Sequence, residues 1–176
     1  MKSSVYHYKS NRNATKARED IYNGKCGEYM GSAFMERNGF PKVDPDVEIY
    51  ATKNKTFSPD LPFSKVNKAL PDCGVKTCES TLDFMEKNTG ERQKTWTFQL
   101  NDIDKRNGRD TLFEKTGSSE PILFVYVDET LCSAEVVASA PWSKVHPLLK
   151  DPVNPRLKGL KKCLYMDDLV KVNNQQ

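Results

Sequence analysis

FSPDLPFSKVNKALPDCGVKTC, residues 57–78, is the stretch whose reading decides the fold. Its last six residues, CGVKTC (73–78), are short and β-prone, and side chains alternate across a strand. Cys73, Val75 and Thr77 then make a natural core face, and Asp72, Gly74 and Lys76 share the other, which we expect to be open. Asp60, sixteen residues before Lys76, lies in a segment that can return beside this strand after a loop of roughly ten residues. Pairing the two segments would bring a carboxylate to an ammonium over one face of a sheet.

Working outward, the pattern predicts helices first and strands later. A short helix is expected over residues 14–22, ending at Asn23-Gly24. A second, GEYMGSAFMERNGF (27–40), carries the apolar stripe Tyr29, Met30, Ala33 and Phe34 and stops at Asn38-Gly39. Glu28 stands at its start, on the flank of that stripe. VEIYATK (47–53) and KTFSPDLPF (55–63) read as a strand pair, STLDFMEKN as a short helix, and KTWTFQL (94–100) as a strand. Residues 102–115 leave helix and loop both open. PILFVYVDE (121–129) has the continuous apolar run of a strand buried on both faces. AEVVASA (134–140) reads as an edge strand, PWSKVHPLLK as a short helix with Pro at its first position, and the tail as a strand or helix. The expected class is α/β (α+β): a central mixed β-sheet flanked by helices.

Bulk properties narrow the function classes. The 176 residues suit one domain over 13–176, preceded by a basic arm, residues 1–12. No apolar run approaches the ~18 residues of a membrane span, and polar residues follow Met1, so a cytoplasmic location is expected. The five cysteines and two histidines lack the paired spacing of a structural zinc site and read as reduced thiols. Net charge is only +3, but residues 141–176 hold seven Lys/Arg against three Asp/Glu. The first eighteen residues hold five bases and no acid. Basic ends suit a polyanion partner, and plain solubility as well. Arg156, Lys158, Lys161 and Lys162, in RLKGLKK, are candidate phosphate contacts or a solvated face.

Asp60, Glu28 and Lys76 together fit one chemistry. Phosphodiester hydrolysis uses divalent cations held by hard carboxylate oxygens, and positive charge near the attacked phosphate. Each residue also has a plain structural use. Asp60 can close a Ser-Pro-Asp turn, Lys76 can guard a sheet edge, and Glu28 can complement the helix dipole.

The order of these motifs resembles the PD-(D/E)xK nuclease superfamily, which includes restriction endonucleases and Holliday-junction resolvases. The resemblance is carried by GEYMGSAFMERNGF, SPDL, the VK strand and KTWTFQ, over roughly residues 25–100. It implies a restriction-endonuclease-like fold, a metal-dependent DNA endonuclease, Mg²⁺ (or Mn²⁺) as cofactor and no small organic cofactor. A homodimer is the implied assembly, since cutting both strands calls for two sites. Carried over by position, Glu28 becomes the helix acid, Asp60 the principal metal ligand and Lys76 the lysine. Gln99 could contribute its carbonyl oxygen or orient a water. The family's acid two residues before the lysine falls on Gly74. Either another acid (Glu28, or Asp72 about 7 Å along the strand) takes that place, or the chain is an inactive nuclease-fold module that binds nucleic acid or a protein.

Overall fold

The computed structural model describes residues 14–45, 59–79, 94–100, 110–114, 117–128, 130–153 and 155–173. The expected arm 1–12, the strand 47–53, residues 55–58 of the strand 55–63 and the helix 80–88 lie outside the described residues. Residues 59–63 form a bend, an isolated bridge at Leu61 and the start of a 3-10 turn instead of a strand, since Pro59 and Pro62 cannot donate to a ladder. Three layers are stacked: helix α1 (Ala14–Arg37), a mixed sheet, and a second, two-stranded sheet with two short helices. The mixed sheet has the order β1-β3-β4, with β1 (Gly74–Glu79) parallel to β3 (Pro121–Asp128). β4 (Ser133–Pro141) runs antiparallel to β3 and, among the described strands, lies at an edge as expected. The second sheet pairs β2 (Thr95–Gln99) with β5 (Lys161–Tyr165), antiparallel. Helices α2 (Trp142–Val145) and α3 (Met166–Asn173) complete that layer, so the tail is a strand followed by a helix. This is the mixed α/β architecture that the sequence suggests.

β3 is buried on both faces, as its composition predicts. Leu123, Val125 and Val127 pack toward α1 with Val75, Leu61, Phe63 and Met35. Ile122 and Phe124 pack the other way, against Trp96, Phe98, Trp142, Leu164 and Leu169. The Trp96 indole N–H donates to the Val125 carbonyl at 3.1 Å, beside the slip in β3–β4 register, and so ties the two sheets together.

Two expectations for the helical region are corrected. Residues 14–37 form one helix, without a break at Asn23-Gly24. Asn23 is buried at the start of a row spaced by four: Asn23, Gly27, Gly31 and Met35. Tertiary contact along this row outweighs the ~1 kcal/mol that a glycine costs a helix. The packed face is therefore set by small residues, and Tyr29, expected in the apolar stripe, is exposed. The stop at Asn38-Gly39 is where the sequence puts it. Gly39 has φ +87°, Phe40 N–H bonds to Met35 O and Gly39 N–H to Glu36 O, the paired bonds of a Schellman cap.

The strand parity of 73–78 is right, but the face of Gly74 and Lys76 is not open. Cys73 and Val75 face the α1 side, while the β2–β5 layer covers the other, so Lys76 lies half-buried with its ammonium 5.1 Å from the Phe98 ring centre. A second sheet was not foreseen as a cover because β2 and β5 are far apart in sequence.

The close approach of α1 to β1 gives a direct test. A Cβ at Gly27 would lie 2.1 Å from Thr77 Oγ1, whereas one at Gly24 meets nothing within 4 Å. Gly27→Ala should lose about 1–3 kcal/mol of stability in urea unfolding. Gly24→Ala should gain about 0.5–1 kcal/mol by the helix preference for alanine. Equal effects would show that α1 does not pack through this row.

Candidate active site at the edge of β1

The site begins with backbone pairing. Leu61 and Cys73 exchange two hydrogen bonds of 3.0 Å, a single antiparallel bridge that returns the chain to the start of β1. Asp60 precedes that bridge in a bend and does not itself belong to a strand. Its Oδ2 accepts the Val75 N–H at 2.7 Å, so a carboxylate satisfies a backbone donor of β1. Alternation then places Lys76 on the far side from Val75, toward Phe98.

Lys76 Nζ donates to Asp110 Oδ2 in a short ion pair, with both side chains largely buried. Asp110 is fixed by its own backbone: its N–H donates to the Gln99 carbonyl at 2.9 Å, and its carbonyl accepts Phe113 N–H at 3.1 Å. It thus stands at the mouth of the 3-10 turn Thr111–Glu114. On the other flank, α1 presents Lys25 and Glu28, paired at 2.7 Å and 3.0 Å through both carboxylate oxygens.

Electrostatics links these groups. Burial pushes the Asp60 carboxyl above its ordinary value of 3.8, and the charge of Asp110 pushes the same way. Lys76, the Val75 N–H and Lys25 oppose the rise. Asp60, Lys76, Asp110 and Lys25 therefore share one electrostatic neighbourhood, and Glu28 joins it through Lys25. Cys73, adjacent to Asp60, is pushed up to about 12, chiefly by burial and then by that carboxylate. It is an inert thiol, and all five cysteines are unpaired with one another, as expected.

The sequence candidates fall into three groups. Asp60 takes the N–H of Val75, next in sequence to Lys76, and Glu28 stands on the bordering helix, paired with Lys25. The Gln99 side chain points elsewhere, its Nε2 donating to Leu160 O at 3.2 Å, while its carbonyl anchors Asp110. Asp72 is occupied as a cap, accepting Ser64 N–H at 2.8 Å. In the basic segment, Lys161 pairs in register with Gln99, Lys162 bridges to Asp151 at 2.7 Å, and Lys158 is exposed. The Arg156 side chain lies outside what is described.

Asp110 is the residue that sequence reasoning misses. It lies 34 positions from Lys76, at the end of a polar stretch read as helix or loop. The available signal is local: an Asp directly before Thr-Leu-Phe, where a carboxylate can open a helical turn.

Among the described residues, no three His, Cys, Asp or Glu side chains gather as a metal-binding group. No helix among them is long and apolar enough to cross a membrane. No protein-family model matches the chain, and no curated protein or solved structure matches it either.

The buried charge makes a stability prediction. A carboxyl whose folded pKa is raised stabilises the fold while protonated, below 3.8, and loses that contribution as pH rises through the folded pKa. Asp60→Asn keeps an acceptor for Val75 without the charge. In urea unfolding with a chelator present, the variant should be more stable than the wild type at neutral pH. The gain should vanish as pH is lowered to 3.8 and below. A variant less stable at neutral pH would contradict a net burial cost at Asp60.

Proposed function

We propose that the chain is a metal-dependent endonuclease of the PD-(D/E)xK type that hydrolyses phosphodiester bonds in DNA. The observation that carries this reading is that Asp60 takes the N–H of Val75, the residue before Lys76, while Lys76 pairs with Asp110 and the Lys25–Glu28 pair stands on α1. An aspartate just before the Leu61 bridge, a lysine within β1 and an acid on the bordering helix follow the order that the family resemblance implies, although the family's aspartate stands on a strand and Asp60 stands in a bend.

The donor set fits a hard divalent cation. Asp60 receives one hydrogen bond among the described residues, at Oδ2, so its second oxygen can serve an ion. Burial disfavours its bare charge, which a nearby cation relieves. Magnesium keeps several waters and is often held by one or two carboxylates plus substrate phosphate oxygens, so a three-acid cage is not required. When bound, Mg²⁺ or Mn²⁺ supplies Lewis acidity toward a phosphoryl oxygen. Glu28, paired with Lys25 on the bordering helix, would be a further carboxylate for the ion. The Lys76 ammonium stabilises negative charge on the pentavalent phosphate and orients the attacking water. Phe98 and the β2–β5 layer keep that ammonium partly out of solvent, where its charge acts more strongly.

The basic segment supports a polyanionic substrate. β5 opens with Lys161 and Lys162, and Lys161 lies opposite Gln99, whose carbonyl holds Asp110. Lys158, Lys161, Lys162 and Arg156 are assigned to the phosphate backbone, and a homodimer supplies a second site for the second strand. A different reading rests on one observation, the glycine at position 74: a chain that keeps the fold and binds nucleic acid or a protein without cutting.

A nicking assay on supercoiled plasmid and branched DNA, with Mg²⁺ or Mn²⁺, separates the two. The wild type should cut, and Asp60→Ala and Lys76→Ala should each lose at least about 10²-fold in rate, the scale of removing one transition-state partner. Equal cutting by all three, or none by any, would favour the non-catalytic module. Lys158→Ala should weaken DNA binding at all sequences and lower the salt slope by about one. An unchanged slope would remove Lys158 from the interface.

A further inference from the structure

The acid expected two residues before the lysine cannot be added without disturbing the core. A Cβ at Gly74 would start 2.9 Å from Ile122 Cδ1, a methyl of a fully buried side chain packed against Trp96 and Phe124. A carboxylate built on it would have to share that apolar layer, which costs several kcal/mol unless the charge is paired. An acid at position 74 would therefore have to displace the end of the Ile122 side chain.

The carboxylate of Asp110 comes to the same lysine from another direction. Its Oδ2 takes the Lys76 ammonium, and among the described residues its Oδ1 receives a long 3.5 Å approach of Leu112 N–H. Asp60 on the Val75 N–H and Asp110 on the Lys76 ammonium thus bind two successive residues of β1. Two hard oxygen donors on neighbouring residues of one strand are what a divalent ion uses, and a +2 ion offsets their charge better than an ammonium.

We infer that Asp110 supplies the second carboxylate of the cation site in place of an acid at Gly74, and that the cation takes Asp110 from Lys76, releasing the ammonium toward the phosphate. This rests on the nuclease reading above and adds to it a ligand and a switch. Lys76 and the ion compete for Asp110. Binding of the ion therefore also arms the lysine, and no separate acid in the sequence motif is needed.

The test is Mn²⁺ affinity by calorimetric titration of the full chain, without DNA, so that binding is read apart from catalysis. Asp60→Asn and Asp110→Asn should each weaken Mn²⁺ by at least about tenfold, since even outer-shell partners of a metal act on that scale. Lys76→Met should tighten it severalfold, because the competitor is gone. That tightening should disappear when Asp110→Asn is added. Asp110→Asn alone leaves Lys76 without its carboxylate, so should it fail to fold, Lys76→Met is compared with the double variant, which carries no stranded charge. Wild-type affinity in Asp110→Asn, with Asp60→Asn weakened, would overturn the assignment of Asp110 and leave the nuclease reading standing. A Lys76→Met gain that survives loss of Asp110 would overturn the competition. No Mn²⁺ binding by the wild type, together with no nicking, would overturn both the reading and the inference.

Discussion

The hydrogen bond from the Val75 amide to Asp60 is the constraint on which the candidate site depends. It fixes the carboxylate at the edge of β1, one residue from the lysine on the opposite face. The Leu61–Cys73 bridge sets its reach, and the parallel pairing of β1 with the fully buried β3 sets the direction in which Lys76 leaves the strand. From the helix side, Gly27 and Gly31 let α1 lie close against Thr77 and Val75, which brings Lys25 and Glu28 to the same edge. Backbone contacts thus place four of the charged groups, and side-chain packing only trims their positions.

This arrangement holds charge where the fold alone would not choose it. The Asp60 carboxylate is penalised by burial and by Asp110, and Lys76 offsets part of the penalty. Buried ionic groups of this kind add little to stability compared with well-packed apolar ones. Their cost in the contact region of two sheets and a helix singles them out as the candidate site. The apolar layers around it carry the stability: Trp96, Phe98, Phe124 and Trp142 on one face of the mixed sheet, Leu61, Phe63, Leu123 and Val125 on the other.

Much of this was legible in the sequence, and the rest was hidden for identifiable reasons. Parity separated Val75 from Lys76, the unbroken apolar run of 121–128 announced a strand buried on both faces, and Asn38-Gly39 marked a helix end. These are local properties of the chain. The continuous helix through Asn23-Gly24 was not legible, because contacts with the sheet decide it. The cover over Lys76 was hidden because it comes from strands far away in sequence. Asp110 was hidden for the same reason: what makes it a site residue is the Lys76 ammonium and the Gln99 carbonyl, neither of them its neighbour in the chain.

The central claim is that Asp60, Lys76 and Asp110 form one electrostatic unit at the edge of β1. The most direct measurement is an NMR titration of the Asp60 side-chain carboxyl carbon in the wild type, Lys76→Met and Asp110→Asn. The account predicts that Asp60 titrates above 3.8, higher still without Lys76, and lower without Asp110. A carboxyl that titrates at or below 3.8 in the wild type and is indifferent to both substitutions would contradict it.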